Sequence, residues 1–123
     1  MAKGNEIGTF SHRSTSATLL PGPGGGLITQ VNFEGEATSF GTVAITATFV
    51  GGNSGTFSAA GRAYLENGDF LTGIADNGSF ESVGPNRWKT SSIWRISNGS
   101  ALLSEGEIDL ASRAWSGKNY EWN

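Results

Sequence analysis

Apolar and polar residues alternate with a period of two along most of this chain. No glycine-free stretch of about eleven residues carries the i, i+3, i+4 apolar spacing of an amphipathic helix. Alternating segments instead recur between breaks made of glycine, asparagine and proline. One predicted strand places five residues on a single face, namely Leu27, Thr29, Val31, Phe33 and Ala37. The pattern therefore predicts an all-β protein.

Turn residues divide the chain into seven or eight predicted strands. A long strand from Thr9 to Leu20 is ended by the proline and glycine run at 21–26, where neither strand nor helix can continue. Asn67-Gly68 predicts a hairpin turn. Asn77-Gly78 fits either a further turn or a β-bulge. The last strand is predicted from Ala114 to Trp122.

The register of one hairpin follows from the loop that keeps like faces together. A two-residue loop would pair Arg95 with Leu102 and mix apolar and charged faces. A three-residue loop at 97–99, with Gly99 in the left-handed conformation, pairs Trp94 with Leu102. The same loop aligns three further pairs: Trp88 with Ile108, Arg87 with Asp109 and Lys89 with Glu107. We predict this register, with the charged pairs on a solvated outer face.

Closure of the strands into a barrel is the predicted architecture. Short turns, one apolar face per strand and many glycines inside strands favour a small antiparallel barrel of about eight strands, since glycine permits the sharp coiling that closure needs. We expect a β-bulge at Gly117 in the last strand. A β-sandwich is the alternative. Long cross-connections would favour it, but the chain has only one candidate for such a connection, the segment around 21–26.

Length and composition limit the functions that need consideration. The 123 residues are enough for one domain, 1–123, with residues 1–8 as a candidate flexible N-terminus. The absence of cysteine excludes disulfides, thiolate metal sites and thiol nucleophiles. A net charge of -3 has the wrong sign for a nucleic-acid partner. No apolar run resembles a signal peptide or a membrane span, so we expect a cytoplasmic protein without a membrane partner.

Turn glycines and core aromatic residues form a recognisable series between residues 55 and 106. The series consists of Gly55-Thr56-Phe57, Gly61, Tyr64-Leu65-Glu66-Asn67-Gly68, Phe70, Gly73, Phe80, Trp94, Gly99-Ser100-Ala101-Leu102 and Glu105-Gly106. It resembles the small bacterial calycin-like barrels related to allene oxide cyclase. The resemblance implies an eight-stranded barrel with a partly apolar lumen, oligomerisation in some members and, in the cyclases, isomerisation of a lipid epoxide. No motif transfers a cyclase's catalytic residues to positions of this chain.

His12 is the single histidine and the candidate catalytic residue, because imidazole titrates near neutral pH. Alternation places it on the strand face that also carries Phe10, Ser14 and Ser16. If Phe10 belongs to the core, His12 points inward. The neighbouring carboxylates, Glu34 and Glu36, should face outward. The alternative for His12 is a hydrogen-bonded or exposed histidine without a functional role.

Five further side chains are candidates for ligand binding. Phe10, Trp88 and Trp94 are predicted to line a pocket with His12, because they share the inferred inner faces. Arg62 and Tyr64 share a strand face and could clamp a carboxylate or an enolate; the alternative is a solvated outer row. No metal site is expected, since a lone histidine would need several converging carboxylates. No cofactor motif is present.

Two functions from different classes fit this sequence. In the first, a small cytoplasmic barrel binds a small apolar or amphipathic molecule in an aromatic-lined lumen, with or without cyclase or isomerase activity. In the second, a barrel with a filled core is a non-enzymatic module for homo-oligomeric assembly or partner binding. An empty lumen pocket above about 300 Å³ would favour ligand binding, and a packed interior would favour assembly.

A homo-oligomer is expected in either case. The predicted strand from Gly41 to Val50 carries no charge on its outward set, which consists of Thr42, Ala44, Thr46 and Thr48. Exposed strand faces normally carry lysine or glutamate, and interface cores are depleted in charge. This face is therefore the predicted interface, and a soluble threonine-rich surface is the alternative.

Overall fold

Eight antiparallel strands close into a barrel in the computed structural model of the chain, which describes residues 2–123. Each strand pairs with its neighbours in sequence, and the first strand pairs with the last. The strands are β1 (Lys3–Pro21), β2 (Leu27–Ala37), β3 (Gly41–Gly51), β4 (Ser54–Tyr64), β5 (Phe70–Gly84), β6 (Arg87–Ile96), β7 (Ala101–Asp109) and β8 (Ala114–Trp122). A short 3₁₀ turn, Pro23–Gly25, lies between β1 and β2. The predicted all-β barrel is confirmed.

The up-and-down order of the strands gives the barrel two different ends. The β2–β3, β4–β5 and β6–β7 turns lie at the same end as both chain termini, which we call the terminal end. The β1–β2, β3–β4, β5–β6 and β7–β8 connections lie at the other, which we call the hairpin end. Among the described residues, no helix has the length and apolar character needed to cross a membrane.

The predicted register of the β6–β7 hairpin is confirmed. Trp94 pairs with Leu102, and Gly99 adopts a left-handed φ of 91° in the loop. The other three predicted pairs are present too: Trp88 with Ile108, Arg87 with Asp109 and Lys89 with Glu107. Matching of apolar faces was therefore sufficient to fix this part of the barrel.

Three local expectations need correction or completion. The first strand begins at Lys3 rather than Thr9, because its N-terminal part pairs with β8. A register shift between Ser14 and Ser16 turns Ser16 to the outer face, where its hydroxyl accepts a hydrogen bond from the Asn32 amide at 2.8 Å. Asn77-Gly78 is a bulge inside β5 and not a turn, since the register with β4 and β6 shifts there.

The bulge expected at Gly117 is absent. Gly117 pairs in regular register with Gly106 on β7 and with Phe10 on β1. A Cβ atom at Gly117 would lie 2.1 Å from the backbone oxygen of Glu105. Glycine is needed here because two neighbouring backbones approach closely, and not because the strand is irregular.

Large rings in the lumen lie against glycines of adjacent strands. Phe57 pairs with Gly78, and a Cβ atom on that glycine would lie 2.5 Å from the ring. Phe80 pairs with Gly55, where a Cβ atom would be 3.0 Å from the ring. Each ring therefore occupies space that a side chain on the opposite strand would otherwise fill.

An aromatic cluster fills the half of the lumen nearer the hairpin end. Its members are Phe33, Phe49, Phe57, Phe80, Trp88 and Trp115. The ring centroids of Phe80 and Trp88 are 4.3 Å apart, and those of Phe49 and Phe57 are 5.0 Å apart. The buried Trp115 indole donates a hydrogen bond to Thr90 Oγ1 at 3.0 Å. This half of the barrel is a packed core.

Gly117→Ala should destabilise the barrel by about 1–3 kcal/mol, because the added methyl group meets backbone atoms that cannot move aside easily. Gly84→Ala is the matched control, since a Cβ atom there would have no neighbour within 4 Å. It should change stability by less than about 0.5 kcal/mol. Urea unfolding of both variants measures the difference, and equal stabilities would contradict the close-approach explanation.

Candidate functional site

A cavity remains in the half of the lumen nearer the terminal end. Its volume is about 80 Å³, and it extends from His12 and Trp115 inside the barrel to Phe40, Leu71 and Ile96 near the turns. Most of its lining is apolar, and small residues of β4 and β5 form part of the wall. The barrel is therefore packed at one end and partly open at the other.

Three of the predicted site residues meet at this cavity. Phe10, His12 and Trp94 all border it, and all three are buried. Trp88 does not border it, because it lies in the aromatic cluster toward the hairpin end. The inner face of β6 thus contributes one tryptophan to the cavity and another to the packed core.

Arg62 and Tyr64 lie on the outer face of β4, where their side chains are exposed. Arg62 is among the residues that border the cavity, but its guanidinium lies over the Phe70 ring, 4.7 Å from the ring centroid. Tyr64 does not border the cavity. This placement corresponds to the solvated outer row that was the alternative to a clamp.

A row of buried polar side chains crosses the inner face of β6, β7 and β8. Ser92 pairs with Ser104, which pairs with Asn119. The Ser104 hydroxyl donates to Asn119 Oδ1 at 2.5 Å, and the Trp94 indole donates to Ser92 Oγ at 3.1 Å. Ser104 and Asn119 border the cavity. The row gives an otherwise apolar lumen one polar wall.

This polar row was not predicted from the sequence. The predicted β6–β7 register already placed Ser92 opposite Ser104 on the inner face. Two polar residues that face each other at inward positions could therefore have indicated the polar row. Asn119 required the pairing of β7 with β8, which the sequence pattern did not provide.

His12 is held between aromatic rings. Its imidazole stacks on Phe10, with centroids 5.1 Å apart, and meets Trp115 edge-on at 6.1 Å. Gly35 lies opposite on β2, and a Cβ atom there would be 2.8 Å from His12 Nδ1. Nδ1 itself is buried without a hydrogen-bond partner. The ring is therefore fixed by packing rather than by a carboxylate.

Burial determines the protonation of His12. It lowers the pKa of the imidazole from 6.5 to about 4, so the ring is neutral at pH 7. An unpaired buried acceptor is tolerated better than an unpaired buried N–H, which assigns the ring proton to Nε2. A base with so low a pKa is a weak proton acceptor at neutral pH. His12 is better suited to donate a hydrogen bond than to remove a proton.

The cavity has one charged neighbour, Arg62, whose guanidinium lies over Phe70 on the outer side of the barrel. Glu34 and Glu36 are exposed on β2, as expected from the alternation. Across residues 2–123, no group of three or more histidine, aspartate or glutamate side chains is arranged to hold a metal ion. Binding at the cavity therefore depends on apolar contact and neutral hydrogen bonds.

No protein-family model, curated protein or solved structure matches the chain. Function is consequently inferred from the geometry of the lumen.

The buried histidine should make stability depend on pH. Between pH 6.5 and about 4 the unfolded chain binds a proton at His12 that the folded chain excludes, so stability falls as the pH is lowered. The shift corresponds to about 3 kcal/mol at the acidic end of this window. His12→Phe keeps an aromatic ring and removes the titration. Urea unfolding at several pH values should show a flatter profile for this variant; superimposable profiles would mean that His12 is not buried in its neutral form.

Proposed function

We propose that the barrel binds a small, mainly apolar molecule that carries one hydrogen-bond-accepting oxygen, such as a ketone, ester or ether. The apolar part occupies the lumen cavity, and the oxygen accepts a hydrogen bond from His12 or from the Asn119 amide. The observation that carries this proposal is a buried histidine, with no carboxylate beside its ring, that borders a mainly apolar cavity.

A purely structural core would not favour histidine at this position. Leaving a buried polar atom without a partner costs about 1–3 kcal/mol, and a phenylalanine could stack on Phe10 without that cost. Buried groups of this kind that are retained often have a role in binding or chemistry. A ligand oxygen that accepts a hydrogen bond from Nε2 would give His12 such a role, while Nδ1, which packs against Gly35 of β2, would stay unpaired.

The polar row supports the same ligand chemistry. Because Asn119 Oδ1 already accepts the Ser104 hydroxyl, the amide NH₂ of Asn119 is the group left for a ligand. The neutral imidazole with its proton on Nε2 is also a donor. Two neutral donors inside the lumen favour an acceptor oxygen over an ammonium group.

The size of the cavity restricts the ligand. A volume of about 80 Å³ is below the roughly 300 Å³ of typical small-molecule pockets. It is also about half of an engineered cavity of roughly 150 Å³ that binds benzene. Only a group of a few heavy atoms fits inside, and a larger molecule would extend through the terminal end of the barrel.

Cyclase or isomerase chemistry, which the resemblance to the allene oxide cyclase-related barrels implies, would use the same features. Apolar walls would hold a flexible substrate in a folded conformation, and His12 as a neutral donor would stabilise negative charge that develops on an oxygen. We therefore place any catalytic role of His12 in hydrogen bonding rather than in proton abstraction.

The second candidate function, an assembly module with a filled core, is favoured by a different observation. The aromatic cluster fills the half of the lumen nearer the hairpin end, and the cavity does not reach the size expected for a dedicated ligand barrel.

Cyclopentanone, whose carbonyl end would enter the cavity while the rest of its ring extends toward the terminal end, tests the ligand proposal directly, with methylenecyclopentane as a comparator of similar shape that lacks the oxygen. Both should shift the indole NMR signal of Trp94, because its ring borders the cavity. The ketone should bind about fivefold more tightly, the value of one neutral hydrogen bond. In His12→Phe this preference should fall while the apolar contact remains. No saturable shift with either probe would overturn the proposal.

Ala63→Leu should block the site without damaging the fold. Ala63 is buried at the cavity, and leucine adds three carbon atoms, close to the volume available. The variant should gain about 0.5–2 kcal/mol of stability by filling the cavity. It should also lose the response to cyclopentanone. The control is Ala101→Leu, because Ala101 pairs with Arg95 on the outer face. This variant should bind cyclopentanone as the wild type does. Continued binding by Ala63→Leu would place the ligand elsewhere.

A further inference from the structure

The outer face of β2, β3 and β4, with the adjoining part of β5, is a surface of unusual composition, which we call the β3 face. The outward residues of its central strand are short and uncharged: Thr42, Ala44, Thr46 and Thr48. The outer face of β6 and β7 differs, because it pairs Lys89 with Glu107 and Arg87 with Asp109. The centre of the β3 face therefore carries no charge, whereas the outer face of β6 and β7 does.

The β3 face is also concave. An open groove of about 660 Å³ lies on it, bordered by short side chains such as Ala44 and Ala60 and by longer ones such as Glu34, Arg62 and Ile74. The wall of a barrel is convex, so two barrels usually touch only along a narrow line. Short side chains in the middle and long ones at the flanks offset this curvature and permit broad contact.

The two flanks of the groove carry complementary groups at matched heights. Glu34 on β2 is in register with Ala44 on β3 and with Arg62 on β4. One step along the strands, Glu36 is in register with Thr42 and Tyr64. Acceptors thus lie on one side of β3 and donors lie at the same heights on the other.

We infer that the β3 face binds a second copy of this chain around a two-fold axis that runs along β3. Such an axis exchanges the two flanks, so Glu34 of each copy faces Arg62 of the other, and each Glu36 faces a Tyr64 hydroxyl. The uncharged residues of β3 then meet their own copies at the centre. This inference is independent of the proposed ligand.

The flanking groups are available for contacts between chains. The ion pairs in the described part of the chain are Lys3–Glu105, Arg95–Asp76 and Lys118–Glu6, none of which involves the β3 face. Arg13 on β1 lies opposite Glu34 without forming an ion pair with it. Arg62 rests on Phe70, which is itself 55% exposed.

The β3 face is large enough for a stable dimer. Strands β2, β3 and β4 each have 11 residues. At about 3.3 Å per residue and about 4.8 Å per strand, these three strands and residues 70–74 of β5 cover roughly 600 Å² in projection. Specific interfaces bury about 600–1,000 Å² on each partner.

Analytical ultracentrifugation at about 100 µM, where an interface of this size should be occupied, tests the inference. Wild type should sediment at twice the chain mass of 12.8 kDa. Glu34→Arg and Arg62→Glu should each weaken the dimer by at least about a thousandfold, enough to leave mainly monomer, because each places like charges opposite one another at both symmetry-related sites. Thr46→Lys should do the same at the centre. Glu107→Arg, on the opposite outer face, is the control and should leave the mass unchanged.

A mixture of the two flank variants gives the sharper result. Glu34→Arg alone opposes two arginines across the axis, and Arg62→Glu alone opposes two glutamates, but a mixed dimer pairs each arginine with a glutamate. An equimolar mixture should therefore recover the dimer mass that neither variant shows by itself. A monomeric wild type, unchanged masses in the single variants, or a mixture that stays monomeric would each overturn the inference.

Discussion

The fit of a large aromatic ring against a glycine on the neighbouring strand is the constraint on which this barrel depends. Eight strands enclose a lumen only wide enough for side chains to fill it. Phe57 and Phe80 enter this space because their cross-strand partners, Gly78 and Gly55, have no side chain. The Phe10 ring likewise lies against Gly106 of β7, where a Cβ atom would be 2.9 Å from the ring. Among the described residues, seven of the fifteen buried hydrophobic side chains are phenylalanine or tryptophan, and only four are leucine or isoleucine.

The same constraint explains why the lumen is filled at one end and open at the other. Toward the hairpin end, aromatic residues of several strands contact one another across the lumen. Toward the terminal end, Gly61 and Gly73 pair across β4 and β5, and the ring that reaches them is Trp94. One indole does not fill the volume that two glycines and the nearby alanines leave, so a cavity remains beside His12. The candidate site is therefore a consequence of where rings are missing.

The periodicity of the sequence predicted the strand faces and one hairpin register, since both depend on neighbouring residues. It placed His12 on the inner face with Phe10, where the structure has them. It could not predict where each side chain lies along the barrel axis, because that position depends on the stagger of all eight strands. Trp88 and Trp94 share a face but lie at different ends of the lumen. The polar partner Asn119 was missed for the same reason, because its contact with Ser104 joins strands whose register no sequence pattern fixed.

A double-mutant cycle on Phe57 and Gly78 tests the ring-against-glycine account most directly. In the wild-type background, Gly78→Ala should cost about 1–3 kcal/mol of unfolding free energy, because the new methyl group meets the ring. In a Phe57→Val background the ring is gone, and the same substitution should cost less than about 0.5 kcal/mol. Equal costs in the two backgrounds, measured by urea unfolding, would contradict the account and show that glycine is required there for another reason.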